Sequence, residues 1–336
     1  MKNKNEKDSK KKTSIGGQAL IEGIMMRGPN GIAIAVRKPD GEIALERKNV
    51  KMNAKKDPIL KVPVIRGIIE FFRMMVVGVK ALMYSASFIE LEEEEPAEEN
   101  QPGEENQSAE TEKVSRTDAF LEKVFGDKLK DAVIYFSVVL SIFFSVGLFM
   151  LLPNLLSSLL PIDRKAWGGN VITNLIEGAI RISIFFGYII LTSKMKDIKR
   201  VWQYHGAEHK TISCYENECD LTVENVRTQS RLHPRCGTSF LFIVMIISTL
   251  VFSFTGWGSI WKNILTRIIL VPFVAGISYE ILKLVGRYDN AVTRALRMPG
   301  MFLQLFTTAE PDDSQIEVAI VAFENVQTED ASADVW

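Results

Sequence analysis

Residues 133–152 read VIYFSVVLSIFFSVGLFMLL, twenty positions without a charged side chain. A helix rises about 1.5 Å per residue, so this stretch is about 30 Å long, the thickness of a bilayer's hydrocarbon core. It reads as a membrane-spanning helix. Three more segments resemble it: 171–192, with Glu177 and Arg181 near its start, 238–254, and 264–285, with Glu280 inside it. The expected fold is an α-helical multi-pass membrane protein, with about four transmembrane helices and a small N-terminal cytoplasmic β-rich part.

The composition is consistent with this. The chain is 47% hydrophobic and 24% charged, which is compatible only with segregation of the two classes. Lys123, Lys128 and Lys130 precede the first span, Lys194, Lys196, Lys199 and Arg200 follow the second, and Arg287, Arg294 and Arg297 follow the fourth. The connections after spans one and three hold only Asp163, Arg164, Lys165 and Lys262. Positive residues gather on the cytoplasmic side, so both termini and residues 193–237 are expected there, at the plasma membrane. No basic stripe with interleaved aromatics marks a nucleic-acid partner. The partners expected are membrane lipid and a lipid or membrane-protein substrate, and an oligomer is compatible with the sequence.

Outside the spans the chain divides by composition. Residues 1–13 form a polar, lysine-rich tail read as disordered. They are followed by Ser14-Ile15-Gly16-Gly17-Gln18 rather than an apolar core, so no signal peptide is read and insertion is expected to begin internally. Residues 14–62 read as β: Ile32, Ile34 and Val36 alternate with small residues, Pro39-Asp40-Gly41 turns, and Ile43 and Leu45 resume. Residues 63–89 are apolar but carry Arg66, Glu70, Arg73 and Lys80 at helical spacing. This predicts an amphipathic helix on the membrane or on the sheet rather than a span. Residues 90–116 open with eleven glutamates in twenty-three positions and read as a solvated linker. Residues 117–298 contain the four spans, and 299–336 a cytoplasmic tail with a short helix capped by Asp312 and Asp313.

The chemistry lies in residues 193–237, which hold all three histidines of the chain: His205, His209 and His233. His205, Glu208 and His209 make an H-x-x-E-H pattern. On a helix the two imidazoles share one face. This is the inverted form of the zinc metalloprotease motif, in which histidines ligate the metal and the glutamate is the general base. His233 or Cys236, in His233-Pro234-Arg235-Cys236, offers a third ligand. The bland alternatives are interfacial histidines, and a small buried thiol at Cys236. Cys214 and Cys219 do not make a C-x-x-C knuckle and read as structural, and Glu216 reads as an exposed carboxylate. Glu280 is either a metal ligand, a support for one, or an ion-pair partner of Arg181. Gln18, Glu22 and Arg27, in a glycine-dense stretch, either complete the site or belong to a sheet edge. Arg235 joins them as site support.

Five stretches carry a family resemblance: GGQALIEGIMMRGP from residue 16, PVIRG from 63, HGAEHKTI from 205, HPRCGTSF from 233 and MPGMFLQLFTTAEPDD from 298. With them the chain resembles the YqhQ-like family, bacterial membrane proteins of unknown function described as predicted metal-dependent enzymes. The resemblance implies a multi-pass membrane location and a metal site, and draws Gln18, Glu22 and Arg27 toward function. It names no substrate.

Three functions are then expected, in order. The first is a membrane-embedded, zinc-dependent hydrolase working at the cytoplasmic face, with His205, His209 and either His233 or Cys236 as ligands and Glu208 as base. The second is a non-enzymatic scaffold with a structural metal. The third is a transporter.

Overall fold

The computed structural model describes residues 12–29, 31–48, 59–93, 136–137, 139–162, 169–255 and 260–328. Most of the basic tail, nearly all of the acidic linker, the start of the first predicted span and the charged residues 163–165 lie outside them.

The N-terminal part is a four-stranded antiparallel meander: β1 (Gly16–Leu20), β2 (Gly23–Gly28), β3 (Gly31–Arg37) and β4 (Ile43–Lys48), paired in sequence order. The alternation in β3 sorts its side chains between two faces. Ile32, Ile34 and Val36 join Leu20 and Met25 on one face, against Ala81, Met74, Val77 and Tyr84 of α1 (Ile65–Glu93). Ala33 and Ala35 join Ile24 and Met26 on the other. Register fixes the sorting, because Met25 pairs with Ile34 and Met26 with Ala33. The small residues matter: alanines leave room for two helices to lie close to the sheet.

Those helices are α4 (Lys196–Glu216) and α9 (Asp313–Glu324). Tyr204, Ala207 and Ile212 of α4 and Ile316, Ala319 and Phe323 of α9 fill this core. The sheet is therefore covered on both sides. The expected helix of the C-terminal tail is present, with Asp312 as N-cap and a capping box to Gln315, but it is part of the core. The stretch 193–237 is mostly helical, comprising α4 and the short α5 (Val223–Arg227).

Among the described residues, three helices are long and apolar enough to cross a membrane: α2 (Val139–Ser158), and the segments Val171–Thr192 of α3 (Gly169–Thr192) and Trp261–Arg287 of α7 (Ile260–Arg287). The helix α6 (Thr238–Ser253), at the third predicted span, has sixteen residues, about 24 Å of helix. It falls short of a full crossing by length. The boundary expected at residue 298 falls within a helix. The helix α8 (Ala291–Thr307) runs through Pro299, starting at a capping box between Asn290 and Thr293. Proline usually breaks a helix, but here packing against α6 carries the chain past it. α1 also packs on α7, so it joins the sheet to the apolar bundle.

Phe323, fully buried between sheet and α4, tests the role of the C-terminal helix. Phe323→Ala is expected to cost about 3–5 kcal/mol, read as a lowered Tm of the detergent-purified protein. A change within measurement error would mean that α9 does not belong to the core.

Candidate metal centre

α4 places His205, Glu208 and His209 on its buried side. The rings of His205 and His209 lie 4.4 Å apart between centroids. Cys236 arrives from the turn that leads into α6, where the Thr238 N–H and Oγ1 approach its sulfur at 3.4 and 3.3 Å. One ligand atom from each of His205, His209 and Cys236 can be chosen so that all lie within 4.8 Å of one another, and all three residues are buried.

Each imidazole is held by its other nitrogen. His205 Nδ1 is 2.7 Å from the Thr307 carbonyl, and His209 Nδ1 is 2.6 Å from that of Arg231. A carbonyl only accepts, so both Nδ1 atoms carry a proton and both Nε2 atoms are left to face the centre. His205 Nε2 stands 3.2 Å from Cys236 Sγ. His209 Nε2 is buried with no hydrogen-bond partner among the described residues.

Glu208 approaches the same interior. Its Oε1 accepts the Gly17 N–H at 2.8 Å, while Oε2 is buried without a partner. A Cβ at Gly17 would lie 3.0 Å from the Glu208 carboxyl carbon and 2.6 Å from the Met25 carbonyl oxygen, so only glycine admits this approach. Gly206 has the same role on the other side of α4, where a Cβ would stand 2.1 Å from the Ala309 carbonyl oxygen.

The electrostatics follow from burial and neighbours. Burial pushes the Glu208 carboxyl up, against the pull of the two imidazoles. Burial also opposes a Cys236 thiolate, but His209 and His205 outweigh it and hold the thiol well below its usual range. Burial likewise opposes a charged His205, and the Cys236 sulfur overcomes it, raising the imidazole to about 9.

The other predicted residues are placed elsewhere. His233 lies next to the trio, 5.8 Å from His209 between ring centroids, but its Nε2 is 3.2 Å from Glu216 Oε2. Arg235 pairs with the same carboxylate. Glu216 is thus a largely covered anchor at the end of α4 and not the exposed loop carboxylate that its sequence context suggests. Glu22 pairs with Arg200 and accepts from Tyr204 at 3.2 Å. Gln18 faces Gly78 of α1, Arg27 pairs with Glu70 at 3.0 Å, and Glu280 pairs with Arg66 rather than with Arg181. None of these four is bonded to the trio. Cys214 is a core residue and Cys219 is exposed. Of the residues that orient the centre, Thr307 and Arg231 act through backbone carbonyls and have no signature of residue type, whereas Gly17 is marked by being glycine. Gln304 does act through its side chain, clamping the His233 backbone N–H and C=O at 2.9 and 2.8 Å.

This geometry can be set beside known proteins. A family model described as "Protein of unknown function (DUF1385)" matches residues 62–329, which include the whole trio. The chain belongs to the DUF1385 family. A similar protein is the "Uncharacterized protein YqhQ" of Bacillus subtilis (strain 168), 36% identical over 315 residues, or 92% of this chain and 91% of that one. No solved structure matches. The DUF1385 match starts after the sheet, so within it lie Glu208 and the trio but not Gly17.

Glu216 generates a pH prediction. Burial alone would raise it, but hydrogen bonding and charge from His233 and Arg235 hold it below its ordinary 4.5. A carboxylate held low adds stability that is present above 4.5 and is lost as pH falls through the lower folded value. Glu216→Gln should therefore lower Tm at pH 7, and the gap from wild type should narrow only below pH 4.5. A gap unchanged between pH 7 and 3 would contradict this account.

Proposed function

We propose that the protein is a membrane-embedded, metal-dependent hydrolase, with a divalent cation, zinc, held by His205, His209 and Cys236 and with Glu208 as general base. One observation supports it above the others: two buried imidazoles are fixed by Nδ1–H donation so that both Nε2 atoms and a thiol of depressed pKa converge. Backbone or carboxylate acceptors on the far nitrogen are the usual support of a metal-binding histidine.

The donor set fits zinc. Two nitrogens and a thiolate at tetrahedral zinc would stand roughly 3.3–3.6 Å apart. The 3.2 Å from His205 Nε2 to Cys236 Sγ is near that value. Three protein ligands leave a position open, the arrangement of catalytic sites. A bound zinc would supply Lewis acidity to a water and to a substrate oxygen. The protein's own part is to hold Glu208 Oε2 free in a dry interior, where burial makes the carboxylate a stronger base than one in water. Gly17 fixes that carboxylate through its other oxygen.

Membrane placement is supported by α2, α3 and α7, with large apolar side chains such as Phe143, Trp261 and Leu191 facing outward. The distribution of lysine and arginine favours a cytoplasmic face for α4 and both termini. The centre then sits where the start of α6 and the end of α8 meet α4, beside the bilayer. A substrate there would be a lipid, a lipid-linked intermediate or a membrane peptide. The thorough burial of His205, His209 and Cys236 also favours a second reading, a structural metal that ties the sheet to the bundle in a scaffold protein.

Metal content of the purified protein separates these readings. About one zinc per chain is expected, falling at least about tenfold in His205→Ala and Cys236→Ser and staying in His233→Ala and Glu208→Gln. Loss of metal in His233→Ala with retention in Cys236→Ser would refute the ligand set. In cobalt-substituted protein, a visible band that shifts on adding acetohydroxamate reports the open position. An unchanged band would leave the structural reading.

A further inference from the structure

One edge of the sheet runs up to the centre. β1 pairs with β2 on one side alone, so it is an edge strand among the described residues. In an antiparallel pair, residues alternate between those that turn N–H and C=O to the neighbour and those that turn them away. The Gly17 N–H goes to Glu208 Oε1 at 2.8 Å, so Gly17 is of the second kind, and so is Ala19, two positions on. The hairpin gives the same parity. Leu20 pairs with Gly23 across the two-residue turn Ile21–Glu22, which turns Leu20 toward β2 and Ala19 away from it. The Ala19 N–H and C=O and the Gly17 C=O are therefore presented at the free edge, and no hydrogen bond to them is found among the described residues.

Free edges are usually blunted by charge or proline, which prevents chance pairing. β4, at the other side of the sheet, carries Glu46, Arg47 and Lys48, and Arg47 reaches the Asn325 carbonyl at 3.2 Å. β1 is Gly-Gly-Gln-Ala-Leu, with neither charge nor proline. Gly17 is exposed, although the Glu208 side chain against it is buried. A row of unpaired main-chain donors and acceptors is matched by another extended main chain, not by an acyl chain.

A strand added to β1 would run about 4.8 Å from it. It can exchange both hydrogen bonds with Ala19. Two residues further along it meets Gly17, whose N–H Glu208 already holds. The peptide carbonyl that an unbroken ladder would place there lies instead against the Glu208 carboxylate, with His205 and His209 on the same buried side of α4. We propose that the β1 edge binds an extended polypeptide by strand addition and sets one of its peptide bonds at Glu208, which makes polypeptide the substrate class. That assignment of substrate rests on the hydrolase reading, whereas the docking edge stands without it. In the reaction the oxygen of a water bonds to the carbonyl carbon and the C–N bond breaks. Glu208 takes one proton from that water and passes it to the departing amine, and the new carboxylic acid loses the other to solvent.

The test is binding of fluorescein-labelled β-casein, a disordered polypeptide that offers many sequences, to the Glu208→Gln protein in detergent, read by anisotropy. Saturable binding is expected. Ala19→Pro in the same background should weaken it at least about tenfold, because proline removes the outward N–H. The ladder to β2 does not use that N–H, and edge strands tolerate such a proline. Ala19→Ser, which keeps the N–H, should bind as its parent does. If Ala19→Pro does not fold, a short casein-derived peptide must compete for the Glu208→Gln protein and its backbone N-methylated form must not. No saturable binding, or binding indifferent to both Ala19→Pro and N-methylation, overturns the proposal. Ala19-dependent binding by a protein that holds no metal would keep the edge and remove the hydrolase reading. A metal-loaded protein whose cobalt band answers acetohydroxamate but which binds no casein would do the reverse.

Discussion

The structure depends most on how two buried imidazoles are satisfied. A histidine removed from water must place both ring nitrogens. In each case one nitrogen gives its proton to a main-chain carbonyl: Thr307 at the end of α8 for His205, and Arg231 ahead of α6 for His209. Those two bonds draw α4, the 231–236 segment and α8 to one point. The sheet is drawn in as well, because Gly17 of β1 donates to Glu208 between the two histidines. The same contacts that orient the ligands therefore join the sheet layer to the helical bundle. This explains why four segments far apart in sequence meet over so short a run as residues 205–209.

Much of this was legible in the residues. The spacing of His205, Glu208 and His209 gives one helical face, and Cys236, one of two candidates for a third ligand, lies beside both imidazoles. The alternation in β3 gave a strand with two distinct faces, and Asp312 gave a cap. What stayed hidden involved partners that residue type does not announce. His233 looked equivalent to the other two histidines, yet Glu216 and Arg235 take it. The carbonyls of Thr307 and Arg231 belong to the backbone and leave no trace in composition. The sixteen residues of α6 read as a crossing because their apolar run is as pure as those of the longer helices, but they are fewer than a crossing needs. Pro299 suggested a boundary, but tertiary packing overrides such local preferences.

The charged residues of the helices follow a different rule. Arg66 pairs with Glu280, and Glu70 of α1 holds both Arg27 and Arg73. Glu177 of α3 likewise holds two arginines, Arg181 and Arg267. The glycine-dense stretch shows the same economy at the other end. Gly17 leaves room for the Glu208 carboxyl, Gly23 for β3 and Gly28 for Val326, while the charged members Glu22 and Arg27 fasten the sheet to α4 and α1.

The most direct measurement of the central claim is X-ray absorption at the zinc edge of the purified protein. The account predicts one sulfur near 2.3 Å and two imidazole nitrogens near 2.0–2.1 Å, with a light atom completing the shell. A shell of oxygen and nitrogen alone, or one in which a third imidazole replaces the sulfur, would contradict it.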